Sequence, residues 1–343
     1  MKRNRLWAGV LILCLLFFSA GGCGGSDDSH IIQDETTIVH DAYNWFSACY
    51  FDANAVREPE QSETLEEYVN SYHNQDDIYT NYFNSAEISN IKDHFASEEI
   101  LIVRTYGETT LYIAFDRFVE GTAYRVATTI NSYAYSGFNN LILDLRVNGG
   151  GLVDEAVAVL DYFISDRSID TPLCHKVTQD GEERYYLEDF SYLYGDGYED
   201  IFDSSTMYVL TSGYTASATE ILIAGLKYFN EATQVGSTTF GKNREVWIIY
   251  YDRGDGFEMT SGVIYHADGI DRESIGIIPE GNFMTTIPFE EVGSLLGFSD
   301  PDPLQDDWEI SEDIMPFLYS QDYWRNQVAC ASIFPSVRML KAR

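Results

Sequence analysis

The 343-residue sequence predicts an α/β fold preceded by a mainly helical N-terminal region. Two short apolar runs, at 141–145 and 206–212, each lead through a turn into a segment with apolar residues at helical spacing. Hydrophobic residues make up 45% of the chain, which is enough to bury a large core. Strands that alternate with helices indicate a sheet that is at least partly parallel.

The first residues differ in composition from the rest. A basic start and an apolar run precede SAGGC, a pattern typical of a secretory signal and too short for a membrane span. SAGGC also resembles a bacterial lipobox, although Ala20 stands where leucine is usual. This resemblance implies a signal peptide at 1–22, a lipid anchor on Cys23 and a flexible tether at 23–32. Gly24 after the cysteine favours the outer membrane of the bacterial cell envelope, facing the periplasm or the exterior; plain secretion is the alternative.

Charge and cysteine content exclude several kinds of partner. The formal net charge of −34 argues against nucleic acid and anionic lipid surfaces as partners of the folded body. Outside the signal and the anchor, the cysteines are Cys49, Cys174 and Cys330. One disulfide could form among them, and the sequence does not choose the pair. Their spacing does not suit a metal, and we expect no metal or other cofactor.

Local patterns place the elements along the chain. Region 33–99 is predicted to be helical, and Thr64, three residues before Glu67, indicates a helix start. LYIAF predicts a strand at 111–115, and EVWIIYY and FEMTSGVIYH predict a later β-hairpin. The tail at 291–343 is predicted to contain loops and short helices, and its DPDPLQDDWE stretch is interpreted as a solvated acidic loop rather than a calcium site.

The stretch GSTTFGKN, at 236–243, nearly matches a phosphate-binding loop. Such a loop needs a following helix whose N-terminus binds the phosphates. Here the residues after Lys242 predict a strand, and Asn243 replaces the hydroxyl residue that would hold magnesium. The sequence therefore predicts no nucleotide site.

A lysine at this place could instead act as a general base. Ser217 lies between a predicted strand and the helix that it opens, where free amides could stabilise an oxyanion. Lys242 could take the proton of Ser217 only when neutral, which requires burial away from carboxylates. The alternative is a helix-capping serine and a surface lysine.

Three blocks in this order, NLILDLRVNGGG, TASATEILIAG and VGSTTFGK, resemble the C-terminal processing (tail-specific) serine proteases, a family with a crotonase-like α/β core. FEMTSGVIYH and GIIPE extend the resemblance over a protease core at 100–290. It implies a Ser-Lys dyad of Ser217 and Lys242, which lie 25 residues apart as in the family. It also implies an acyl-enzyme mechanism on peptide or unfolded protein substrates.

By the same resemblance, the backbone N–H of Ala218 and that of Gly149 or Gly150 would form the oxyanion hole; the glycines could instead only make the turn. Glu220 matches the family's block but could simply complement the helix N-terminus. The family usually has glutamine where Val246 stands, which puts the efficiency of the dyad in question. Many members also carry a PDZ domain before the core, and region 33–99 shows no carboxylate-binding loop of that kind.

Two rival functions remain open. In a Ser-His-Asp hydrolase, His175 or His266 would have to act as the base, although G-x-S-x-G is absent from the sequence. In a non-catalytic peptide- or ligand-binding lipoprotein, some of the 25 tyrosines and 20 phenylalanines would line a cleft. Chemical activation of Ser217 distinguishes the protease from the binding protein.

Overall fold

The protein is described by a computed structural model. The described residues are 34–74, 76–133, 136–193 and 206–304, with the backbone of 337–341. The predicted signal peptide, the tether, Cys23 and Cys330 lie outside these residues. The elements below all belong to the unit that starts at Asp34.

Seven α-helices and eleven strands are described. The helices are α1 (Glu35–Cys49), α2 (Leu65–Asn70), α3 (Ser85–Ala96), α4 (Thr122–Ser132), α5 (Val153–Phe163), α6 (Ala218–Tyr228) and α7 (Pro288–Leu296). The strands are β1 (Asn81–Phe83), β2 (Leu101–Tyr106), β3 (Thr110–Phe115), β4 (Asn140–Asp144), β5 (Cys174–Thr178), β6 (Gly181–Tyr185), β7 (Thr206–Thr211), β8 (Thr233–Gly236), β9 (Arg244–Tyr250), β10 (Gly256–His266) and β11 (Val337–Lys341).

The central sheet has the strand order β2-β3-β4-β7-β8. β2 is antiparallel to β3, and the remaining pairs are parallel, which confirms the predicted α/β class. One face packs against α4, α5 and α6 through residues such as Leu143, Val157 and Leu222. The other face packs against α7, where Phe289 meets Tyr112. Both faces are therefore buried, as parallel strands require.

A second sheet has the order β11-β9-β10-β5-β6, with β1 also paired to β10. β9 and β10 form the predicted antiparallel hairpin. β11 pairs in parallel with β9, so the tail predicted as loops and short helices also contains a strand. A pairing between residues so far apart leaves no local signal in the sequence, because the partner strand supplies the hydrogen bonds.

The N-terminal region holds α1, α2, α3 and the short strand β1. The predicted start of α2 is confirmed: the Thr64 side chain accepts from the Glu67 N–H, and the Glu67 carboxylate accepts from the Thr64 N–H. Phe46 of α1 stacks on Phe257 of β10. The region therefore packs against the second sheet.

The next features are membrane-spanning helices, metal sites and cysteines, each considered within the described residues. None of the described helices is both long enough and apolar enough to cross a bilayer. Across the same residues, no three His, Cys, Asp or Glu side chains group in a way that could hold a metal ion. Cys49 and Cys174 are free thiols.

One acidic residue of the tail lies in the interior rather than in solvent. Asp302, within the stretch interpreted as a solvated loop, is buried and accepts two hydrogen bonds from Arg146, at 2.6 and 2.7 Å. Asp144 binds the same guanidinium. For Asp302 the solvated interpretation is wrong, because two buried carboxylates together compensate the charge of one buried arginine.

Candidate active site

The turns that follow β4 and β7 meet at the carboxyl edge of the central sheet. Because the two strands are parallel neighbours, their turns emerge side by side. The Thr215 hydroxyl donates to the Leu145 carbonyl at 2.9 Å, and the Ser212 hydroxyl donates to the Arg146 carbonyl at 2.6 Å. These bonds fix the glycine turn before α5 against the start of α6.

Ser217 lies just before α6, as predicted, and only 5% of its surface is exposed. Its backbone has φ +58° and ψ −124°, a region that non-glycine residues rarely occupy. Strain of this kind costs about 1–3 kcal/mol and concentrates at functional sites. The serine is therefore held in a sharp turn at a helix N-terminus, where the helix dipole favours negative charge.

The glycine turn lies directly against this serine. A Cβ built on Gly150 would lie 2.8 Å from the Ser217 Cβ and 3.2 Å from the Ala218 nitrogen, so only glycine fits here. The Gly150 N–H donates to Asn148 Oδ1 at 3.0 Å and is thus engaged within the turn. Among the described groups, none accepts from the N–H of Gly149 or of Ala218.

Asn148 ties the two turns together, a role that sequence analysis missed. Its fully buried side chain accepts from the Thr219 hydroxyl at 2.6 Å as well as from Gly150, and it donates to the Phe115 carbonyl at 3.2 Å. The signal in the sequence is an amide residue at the head of a glycine turn.

Glu220 connects the serine to the lysine. Its Oε2 accepts from the Ser217 N–H and from the Lys242 N–H, each at 2.8 Å, so these two nitrogens lie no more than twice that distance apart. Its Oε1 accepts from the Gly241 N–H and from the Thr239 hydroxyl. Burial raises the pKa of Glu220 to about 7, against the four donors, which favour the carboxylate.

Lys242 is only 2% exposed, so the surface-lysine alternative is wrong. Burial lowers the pKa of its amine, as a general base requires. The expectation of a site away from carboxylates is wrong, because the fold brings acidic residues from distant segments to the lysine. The carboxyl groups that raise the pKa again, without cancelling the effect of burial, are Glu258, Glu273, Asp77 and Glu220.

The amine of Lys242 lies over the Tyr79 ring, with Nζ 4.6 Å from the ring centroid. Nearby Glu258 of β10 is fully buried, and its Oε1 accepts from Asn81 Nδ2 at 2.9 Å. Burial raises the pKa of Glu258 to about 8, while the charge of Lys242 opposes that shift. Tyr79 and Glu258 are further residues of the site that sequence analysis did not identify.

Neither histidine of the triad alternative has contacts typical of a base beside Ser217. His266 is buried with its Nδ1 facing Arg272, and burial lowers its pKa to about 4. His175 stacks on Tyr265 with the ring centroids 4.8 Å apart. After Lys242 and Asn243 the chain enters β9 rather than a helix, as the sequence predicts.

Comparison with known proteins extends this picture. The model of peptidase family S41 matches residues 109–282. The chain is 32% identical over 139 residues to a carboxy-terminal-processing protease of Bartonella bacilliformis, a match covering 40% of this chain and 30% of that protein. It is 28% identical over 206 residues to the carboxy-terminal processing protease CtpA of Bacillus subtilis, covering 57% and 41%. The chain thus spans less than half the length of these relatives.

Two solved structures share the fold. The photosystem II D1 C-terminal processing protease superposes with a TM-score of 0.54 at 15% identity, covering 74% of this chain and 93% of that one. A lipoprotein from Streptococcus agalactiae also gives a TM-score of 0.54, at 16% identity, covering 77% and 89%. The family match spans half of the chain and includes Ser217, Glu220 and Lys242. The resemblance found in the sequence blocks is confirmed, and the chain belongs to peptidase family S41.

Proposed function

We propose that the protein is a serine endopeptidase that cleaves peptide or unfolded protein substrates, with Ser217 as nucleophile and Lys242 as general base. The observation that carries this proposal is the shared carboxylate of Glu220, which binds the backbone N–H groups of both residues. A buried lysine with a lowered pKa, next to a strained serine at a helix N-terminus, supplies the required chemistry.

In the proposed reaction, neutral Lys242 takes the proton of the Ser217 hydroxyl while Oγ attacks the scissile carbonyl carbon. The resulting oxyanion would accept hydrogen bonds from the N–H groups of Ala218 and Gly149. We assign Gly149 rather than Gly150 because Asn148 already accepts from the Gly150 N–H. Collapse expels the amine, which takes the proton from Lys242, and water then hydrolyses the acyl-enzyme.

Hydrolysis of unfolded casein and of a peptide library by the full chain tests the proposal. We expect Ser217→Ala and Lys242→Met to lower the rate by about a thousandfold or more, since nucleophile and base act as one unit. Methionine retains the length of the buried lysine without its charge. Lys227→Met is the matched control, because Lys227 Nζ binds Gln234 and the Ile278 carbonyl instead.

A folded parent that cleaves no faster than Ser217→Ala across neutral to alkaline pH would refute the protease and favour the peptide-binding alternative. Binding of library peptides, measured by fluorescence anisotropy, would then test that alternative. If Lys227→Met and Lys242→Met lose hydrolytic activity equally, Lys242 is not the specific base, while Ser217 can still be the nucleophile.

We further propose that Cys23 carries a lipid that anchors the protein to the bacterial outer membrane, facing the periplasm or the exterior. The support is the SAGGC pattern. Cys23→Ala should move the protein from the membrane fraction to the soluble fraction, while Cys49→Ala, which changes a free thiol of the folded body, should not. A Cys23→Ala protein that stays in the membrane fraction would refute the anchor.

A further inference from the structure

We propose that Tyr79 is a positioning residue for Lys242, holding the amine on its ring face for proton transfer to and from Ser217. The inference rests on the proposed function and adds a residue from outside the family match, since Tyr79 precedes residue 109. Val246 stands four residues after the lysine, where the sequence resemblance would lead one to expect glutamine.

The contact itself is close and shielded from water. The Lys242 Nζ lies 4.6 Å from the centroid of the Tyr79 ring, within the range of a cation–π interaction. The tyrosine is 2% exposed, so ring and amine meet in the protein interior. A flat aromatic surface restricts a flexible four-carbon chain without adding a second charge.

Tyr79 is also tied to the backbone next to the lysine. Its hydroxyl donates to Glu273 Oε1, and Glu273 Oε2 accepts from the Asn243 N–H at 3.1 Å. Its own N–H donates to Asp77 Oδ1 at 3.1 Å. The hydroxyl end of the ring is therefore linked through Glu273 to the backbone next to Lys242, and the backbone of Tyr79 is held by Asp77.

Val246 completes this arrangement. It is fully buried and belongs to the same small hydrophobic cluster as Tyr79, with Phe240 at its edge. A valine at this position supports the ring, whereas a glutamine would bring an amide into an apolar contact. Val246 thus fits a lysine that is held by an aromatic ring.

The ring favours the ammonium form, as several carboxyl groups around the lysine also do. Its removal should lower the pKa of Lys242 while leaving the amine less well placed. The ionisable groups near the amine or the ring are Glu258 of β10, Glu220 of α6, Asp77 before β1, Glu273 after β10 and Arg244 of β9.

The test is NMR of the full chain with ¹³C-labelled lysine, with the Lys242 signal assigned from its loss in Lys242→Met. In the parent, the Hε protons of Lys242 should be shifted upfield by the ring current of Tyr79. Tyr79→Phe should keep that shift and Tyr79→Leu should abolish it. The titration midpoint of Lys242 should fall by about one pH unit in Tyr79→Leu.

Kinetics on the same proteins supply the second readout. Tyr79→Leu should lower kcat about tenfold with little change in KM, since Tyr79 is buried, and its acid limb should move to lower pH. Tyr79→Phe should stay within about threefold of the parent. Tyr251→Leu is the matched control: Tyr251 is equally buried, and its hydroxyl donates to the Ile38 carbonyl.

A parent whose Lys242 protons show no upfield shift would overturn the inference, as would a Tyr79→Leu protein with unchanged kcat. If Tyr79→Leu does not fold, Tyr79→Met, with its more adaptable side chain, takes its place. An active parent with an unaffected Tyr79→Leu would refute the role of Tyr79 alone. A parent without hydrolytic activity would refute the proposed function, and with it the positioning of Lys242 by Tyr79 for proton transfer.

Discussion

Two strand–turn–helix units, β4–α5 and β7–α6, share one local design and use it differently. Each places a buried glutamate at the third residue of its helix, Glu155 in α5 and Glu220 in α6. Glu155 accepts from the N–H groups of Gly121 and Ala123, at 2.7 and 2.8 Å, and so fixes the start of α4. Glu220 instead accepts from the N–H groups of the proposed nucleophile and base.

The residues that precede the two helices differ in backbone conformation, and only the one before α6 is strained. Leu152, before α5, has an ordinary extended backbone with φ −69°, whereas Ser217, before α6, has φ +58°. A glutamate in the first helical turn therefore does not by itself indicate catalysis. What separates the units is the strained residue beside it and the segment that its carboxylate reaches.

The largest difference should appear when each glutamate loses its charge. Glu220→Gln places an NH₂ group against backbone N–H donors, which should displace Ser217 relative to Lys242. We expect kcat/KM to fall about a hundredfold. Glu155→Gln has the same local chemistry and should remain within about threefold. Steady-state kinetics on casein-derived peptides measures both, and equal losses would remove the functional distinction between the units.

The glycine turn between β4 and α5 provides the next test. Gly150→Ala puts a methyl group 2.9 Å from the Ala216 carbonyl oxygen at φ +112°, so the turn must move away from the serine. We expect about tenfold lower activity and about 2–3 kcal/mol lower unfolding free energy. Gly181→Ala, at φ +133° with open space around it, should cost only backbone strain. Urea unfolding that shows equal losses would contradict the close contact.

The β7–α6 unit also faces a lysine, which should give the activity a definite pH dependence. Only the neutral amine accepts a proton, and burial lowers the pKa of Lys242 below its usual 10.5. Activity should therefore rise with pH, about tenfold per pH unit below the midpoint, and level off before pH 10.5. The measurement is kcat/KM as a function of pH. The control Lys227→Met should have its acid limb at the same pH as the parent. An acid limb with its midpoint at pH 10.5 would show that the pKa of Lys242 is not lowered.

The smallest effect concerns the strain at Ser217. Ser217→Gly and Ser217→Ala both remove the hydroxyl, but only glycine accepts φ +58° without penalty. We expect Ser217→Gly to be more stable than Ser217→Ala by about 1 kcal/mol in urea unfolding. Equal stabilities would show that the turn relaxes and stores no strain.

Periodicity and turn residues were sufficient to predict both units and the hairpin, because these elements depend on neighbouring residues. The position of Ser217 before α6 followed from the same local pattern. The contact between Glu220 and Lys242, the buried pairing of Asp302 with Arg146 and the bond from Tyr79 to Glu273 were not predicted, because the partners lie 22, 156 and 194 residues apart along the chain. Tertiary contacts of this kind leave no periodic signal.

The two carboxylate partners of the Arg146 guanidinium are synthesised at very different times. Its partner Asp144 is two residues away, but Asp302 follows it by 156 residues. During synthesis on the ribosome, this arginine therefore lacks its second carboxylate until nearly the whole described body has been made. The turn that faces Ser217 is therefore completed late in synthesis, after most of the chain that carries the proposed catalytic residues has been made.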